Sequence, residues 1–316
     1  MTLVQHPEQA QSTPPPRPSD EGWGARNPLT RTLRRGLAAS RDVLRQLVRR
    51  PLSLLGLMIV SVFLLMAVLG PMIAPYRYDA IIRGAARQPP SQEHLFGTDR
   101  LGRDVFSRVL WGARDMIGLP TITTIMAVFL GTCLGLLLGY IGGWFDEIVA
   151  RALDSLLSIP ALVLALVMLG TIGPSSIGIV IVIVILYTPI VARVVRAATL
   201  NVRSAGYIEA AKLRGESTVY ILFREILPGV LPALVVEGAL RFSYAIFLTA
   251  SLGFLGLGVQ PPSPDWGRMV NEARESFSQT PWALWFPAGA IATLIIGVNL
   301  LSDGLRRVFR YEGSLV

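Results

Sequence analysis

The sequence predicts an all-α membrane protein with six transmembrane helices. Three observations carry this. The 316-residue chain is 52% hydrophobic and only 16% charged, with a mean hydropathy of +0.53, too apolar for a soluble domain of its size. From residue 52 onward its apolar residues gather into six runs, each near the ~20 residues that cross ~30 Å of hydrocarbon. Between the fourth and fifth runs lies a polar island, residues 201 to 230, too long for a tight turn.

The elements follow in order. Residues 1 to 28 are rich in Pro, Gln, Ser and Thr, with PPPRP at 14 to 18, which predicts a disordered tail. No apolar core follows its start, so it does not read as a signal peptide. Residues 29 to 50 place Leu33, Leu37, Leu44, Leu47 and Val48 near helical spacing among seven arginines. That pattern predicts a basic amphipathic helix along the inner membrane face. Nucleic-acid binding is set aside, because the arginines flank an apolar run. The net charge of +8 is almost wholly arginine, and its placement suits membrane orientation.

The first span is Leu52 to Ala74, and the nine arginines before it predict a cytoplasmic N-terminus. Residues 75 to 116 should then lie outside, although they hold seven arginines and five acids. Pairing of Asp99 with Arg103 and of Arg100 with Asp104, each i,i+4, would offset much of that charge. Thr98 or Asp99 can cap a helix carrying Leu101, Val105, Phe106, Val109 and Leu110 as its apolar stripe. The expectation is an amphipathic helix on the outer face ahead of the second span. The other spans are Ile117 to Tyr140, Leu153 to Ile172, Ile177 to Val195, Leu231 to Leu252 and Trp282 to Leu301. Pro160 should interrupt the third span and Tyr187-Thr188-Pro189 bend the fourth. Gly131, Gly135 and Gly139, four apart, predict close helix packing within the chain. Residues 253 to 281, rich in Gly, Pro and Ser, predict an outer hairpin or re-entrant segment. An even number of spans returns the basic tail, 306 to 316, to the inner side, and the polar island faces inward with it.

In the island, Tyr207, Ile208, Ala211 and Leu213 predict a short amphipathic helix stopped at Gly215. A second piece from Val219 to Leu227 would place Val219, Leu222, Phe223 and Ile226 on one face, with Pro228 closing it. Such a rigid knob suits docking in a partner's groove, because little entropy is lost on binding.

The island also carries a family resemblance. Glu209-Ala210-Ala211, Gly215 and Leu227-Pro228 resemble the EAA loop of ABC-importer membrane subunits. In that family the loop is a coupling helix seated in a cleft of the ATP-hydrolysing subunit. The resemblance assigns ATPase docking to Tyr207, Glu209, Ala210, Ala211, Lys212, Arg214 and Gly215, within a coupling loop at 197 to 230. PLSLLGLMIV and LGPMIAPY (51 to 76), FGTDRLGRDVFSRVLWGAR (96 to 114) and SLGFLGLGVQPPSPDWGRMV (251 to 270) are similar to the second permease of peptide- and nickel-type importers. The resemblance implies the type I ABC importer permease fold and a multi-pass place in the cytoplasmic (inner) membrane. It further implies a second homologous permease, two ABC ATPase subunits and an extracytoplasmic solute-binding protein as partners.

Inside the fifth span, Glu237 and Arg241 are four apart. An unpaired charge there costs at least ~2.5–3.5 kcal/mol, so the two should pair on a face turned to protein or water. With Tyr244 one turn on, they are the candidates for a solute path; an ion pair that fixes helix register is the equal alternative. No catalytic residue and no metal site is expected. A P-loop needs Gly-Lys-[Ser/Thr], and the one lysine, Lys212, lies between Ala211 and Leu213. His6 and His94 lack metal-ligand company and read as surface residues. Cys133, the sole cysteine, excludes an intrachain disulfide. This chain therefore needs no cofactor of its own; ATP and magnesium would sit on the partner ATPases. The expected function is the permease subunit of an ATP-driven importer of dipeptides, oligopeptides or a related solute. The rival is an ion-gradient-driven secondary transporter using Glu237, Arg241 or Asp154.

Overall fold

A computed structural model describes residues 45 to 312, with side chains to 308. The tail expected at 1 to 28 and most of the basic segment at 29 to 50 lie outside the described residues. The described chain is helical, with one isolated bridge between Thr98 and Asp104 as its only β pairing.

Five helical stretches are long and apolar enough to cross a membrane, and a bent pair brings the number to six when its two helices count as one span. Helix α1 (Pro51–Ile73) opens with proline at its first turn, where a missing N–H costs nothing. Helix α2 (Val105–Ile141) is 37 residues long. The bent pair is α3 (Gly143–Leu157) and α4 (Ala161–Ile172), at 86° to each other across Ser158, Ile159 and Pro160. Helix α5 (Ser176–Val202) is followed by the short α6 (Gly206–Leu213). One helical turn, α7 (Thr218–Tyr220), passes through a π-helical stretch (Ile221–Ile226) into α8 (Leu227–Phe254). Helix α9 (Trp266–Arg274) lies in the segment before α10 (Trp282–Glu312).

Several expectations change. The outer amphipathic helix is not separate: it forms the first turns of α2, which starts at Val105, not at Thr98 or Asp99. Asp104 is the cap, accepting from the Ser107 N–H at 2.8 Å. Asp104 is thus engaged by the helix end and by His94, and the Arg100–Asp104 pair does not form; Arg100 meets Glu275 instead. Pro160 breaks the third span as expected. Pro189 is carried inside an unbroken α5. The last helix runs on through Glu312, beyond the boundary expected at 305.

The centre of the bundle is α2 against α5. A Cβ built on Gly131 would lie 2.6 Å from Val191 Cβ, and one on Gly135 would lie 2.7 Å from Val195 Cβ. One on Gly139 would lie 2.6 Å from Thr199 Cβ. The glycines therefore serve packing inside the chain, as their spacing suggested. Helix α1 crosses α10 with Gly56 at the contact, where a Cβ would stand 2.7 Å from the Leu301 nitrogen.

The helix polarities give the bundle two ends. One gathers the start of α1, the ends of α2, α5 and α10, and α6. The other gathers α9 and the loop 74 to 104. There, Trp282 donates to the Thr98 carbonyl at 2.9 Å and Trp266 to the Val109 carbonyl at 3.0 Å. Phe96 stacks on Phe286.

Candidate functional site

The polar island folds as a knob whose inner side is apolar. On α6, Ile208 and Ala211 are fully buried, packed with Leu136, Val191 and Val195 of α2 and α5. Tyr207 and Leu213 are exposed, Leu213 at 90%. The four-residue stripe read from sequence is thus a two-residue anchor: Ile208 and Ala211, three apart, share a face, and Leu213 turns away. Tyr207, Glu209, Ala210, Lys212, Leu213, Arg214 and Gly215 form the free face. Ala211, expected to dock, is buried against the bundle, whereas Leu213, expected on the apolar stripe, is exposed.

Gly215 ends α6 as expected. Its φ of +76° is open to glycine and strained for other residues. Its N–H donates to the Lys212 carbonyl at 3.0 Å, and that of Glu216 to the Ala211 carbonyl at 3.2 Å. These two bonds form a Schellman closure, which satisfies carbonyls left open at a helix end. Ser217 then caps the next turn.

The second piece differs from expectation. Pro228 does not close it; one helical rod of 37 residues runs from Thr218 to Phe254. The Leu227 N–H reaches back five residues to the Leu222 carbonyl. Pro228, with no N–H, stands where this wider pattern gives way to α8. In the wider turn, Ile221, Leu222 and Ile226 face the core, while Val219 and Phe223 are exposed. An α-helical period could not reveal that shift.

The knob is tied to the spans. Only Arg203, Ser204 and Ala205 separate α5 from α6. Arg203 donates to the Gly139 carbonyl of α2 at 2.9 Å, and Lys212 lies 5.2 Å from the centre of the Tyr140 ring. Nearby, Arg196 of α5 grips Asp146 of α3 through two hydrogen bonds of 2.5 and 2.6 Å. Arg193 of α5 likewise holds Asp154 of α3. Asp146 and Arg196 are 50 residues apart, so no sequence spacing could have paired them.

The second candidate set lies midway along α8. Glu237 and Arg241 pair at 2.8 Å, with Glu237 buried. The Arg241 guanidinium lies 4.8 Å from the Tyr244 ring centre and 5.5 Å from that of Tyr187 on α5. Tyr244 is exposed on the isolated chain. The three predicted residues do come together, and Tyr187, read only as part of a bend, joins them.

At the α9 end the expected Asp99–Arg103 pair forms, within a largely buried network. Arg103 meets Asp99 at 2.6 Å and Glu272 at 2.6 Å; Arg108 meets Asp99 at 2.9 Å. Burial would raise the Glu272 pKa, but Arg108 and Arg103 outweigh it and hold the carboxyl below its usual range. His94 is 3% exposed, bonded to Asp104 at 2.9 Å, and is not a surface residue. The loop 74 to 104 closes on itself here, bringing the Tyr76 ring and the Asp104 carboxylate against His94. Asp265 caps α9 and is buried, which pushes its pKa up to about 6; Asp115 adds to the rise. Among the described residues no group of three or more His, Cys, Asp or Glu could hold a metal.

Fold and site together define a multi-pass helical permease on the type I ABC importer plan. A solved structure of the MetNI methionine ABC transporter, inward facing, matches at a TM-score of 0.53 and 19% identity. That match covers 65% of this chain and 95% of the other. Residues 131 to 310 match the family described as binding-protein-dependent transport system inner membrane component. Residues 39 to 90 match the N-terminal transmembrane domain of oligopeptide transport permease C. A dipeptide transport system permease protein from Alkalihalophilus pseudofirmus is 38% identical, over 84% of this chain and 88% of its own. A glutathione transport system permease protein from Pectobacterium atrosepticum is 37% identical, over 84% and 89%. A probable D,D-dipeptide transport system permease protein from Escherichia coli is 39% identical, over 81% and 86%. The chain belongs to the family of inner membrane components of binding-protein-dependent transport systems.

Proposed function

We propose that this chain is the membrane-spanning subunit of an ATP-driven importer of peptides or a related small solute, worked by alternating access. The observation that carries the reading is the knob: an anchored helix with a free polar face, set between two spans. ATP and magnesium belong to two partner ATPases, into whose clefts α6 docks through Tyr207, Glu209, Ala210, Lys212, Leu213, Arg214 and Gly215. The α6 end, with both termini, faces the cytoplasm, and the membrane is the inner one. A second, homologous permease completes the path, and a solute-binding protein delivers at the α9 end.

Closure of the ATPases pulls α6. The three-residue link to α5 and the helical rod beyond Gly215 pass that pull to two spans together, which favours rigid-body movement over local bending. Glu237, Arg241 and Tyr244 line the path: paired, they offer a solute polar contacts without leaving a bare charge in the membrane. The test is a cysteine at Ala210 in the assembled complex. It should cross-link to the ATPase, with a yield that changes on ATP binding. A complex that transports while yielding no cross-link refutes the docking role.

A further inference from the structure

Helix α1 begins with a gap in its hydrogen bonding, and a cavity stands beside that gap. Pro51 has no N–H, and the N–H groups of Leu52 and Ser53 have no acceptor among the described residues. No side chain caps this end. The cavity, of about 220 Å³, lies between the start of α1 and the last turns of α10, and Arg50, Leu52, Ser53, Asp303 and Arg307 are among its lining residues. Ser53 is 4% exposed, yet its hydroxyl makes no hydrogen bond among the described residues. The helices meet closely here because Gly304 of α10 leaves room for the Ser53 side chain. Neither Arg50 nor Arg307 has an ion-pair partner among the described residues, and Asp303, four residues before Arg307, does not pair with it.

We propose that this cavity holds the phosphate of an anionic phospholipid headgroup. Two arginines, two backbone N–H groups and a buried hydroxyl without partners among the described residues, and the positive end of a 23-residue helix border one space. All but the carboxylate of Asp303 favour an anion. A lipid is chosen over soluble phosphate because of what lies alongside. Leu52, Leu55 and Met58 run down α1 as exposed apolar residues, a surface for an acyl chain. Basic pockets between the ends of membrane helices suit such headgroups. The bound lipid bridges α1 to α10 and completes the open helix end. This site is independent of the transport reading and shares no lining residue with α6.

The test uses the purified full chain with defined lipids and native mass spectrometry. Wild-type protein should retain phosphatidylglycerol over phosphatidylcholine. R50A/R307A should weaken phosphatidylglycerol retention by ~25-fold, about fivefold for each arginine. D303N should strengthen it, an outcome that a misfolded variant cannot imitate. R306A, exposed and adjacent but outside the cavity, should change nothing. The proposal falls if R306A weakens retention as much as R307A, which would mean diffuse surface attraction. It also falls if inorganic phosphate displaces the lipid at equal concentration, or if R50A/R307A, melting like wild type, retains the lipid fully.

Discussion

Ile208→Ala should cut the knob loose while leaving its exposed face untouched. Helix α6 has eight residues, too few to persist in water unaided. Its anchors are Ile208 and Ala211, the Schellman closure at Gly215, and Lys212 over the Tyr140 ring. Ala211 buries one methyl group, and an exposed cation–π contact is worth ~0.5–1 kcal/mol. Truncating a buried isoleucine to alanine costs ~2–5 kcal/mol, so Ile208 outweighs the other side chains together. Local opening should therefore become easier by ~2–4 kcal/mol, and the amides of 206 to 215 should exchange ~30- to 1000-fold faster. The amides of α5 and α8 should keep their protection. With its ATPases, the variant should hydrolyse ATP without matching transport. Unchanged exchange over 206 to 215, with normal solute moved per ATP, would refute the idea that one side chain holds α6 to the bundle.

Three further outcomes follow from packing and charge. Gly135→Val should separate α2 from α5 and lower stability by ~1–3 kcal/mol or more, read as a thermal midpoint in detergent. Gly118→Ala, where an added Cβ meets nothing within 4 Å, should melt like wild type. Arg241→Ala strands buried Glu237 and should cost ~3–5 kcal/mol, whereas Glu237→Gln with Arg241→Met should recover most of the stability. If that double variant melts normally and still transports, the pair only sets register and lines no path. Asp265 should make the protein less stable as pH rises. Its folded pKa of about 6 lies above the ordinary aspartate value of 3.8, so the folded state binds more protons between those values. Stability should fall from about pH 4 to pH 6, by on the order of 2–3 kcal/mol at most, and level off above. Asp265→Asn, whose remaining oxygen can still accept from the Arg268 N–H, should flatten the profile; equal pH profiles would contradict the buried acid.

What the sequence determined by itself is whatever depends on local order along the chain. The positions of the apolar spans, the break at Pro160, the glycine ridge of α2 and the stop at Gly215 follow from hydropathy, ring chemistry and the absence of a Cβ. Each acts within a few residues, so a one-dimensional reading reaches it. The Glu237–Arg241 pair was legible for the same reason, since i,i+4 spacing on a helix guarantees proximity. Tertiary structure decided which apolar residues of the knob are anchors. Ile208 and Leu213 look alike in sequence, and only the position of α2 and α5 buries one and bares the other. It also decided the partners of the ion pairs that join distant helices, such as Asp146 with Arg196. His94 passed for a surface residue because the groups that enclose it, Tyr76 and Asp104, lie ten or more residues away along its own loop. The shift at Ile221–Ile226 escaped for a further reason: a period of 3.6 was assumed where the backbone, beside a proline, takes a wider turn.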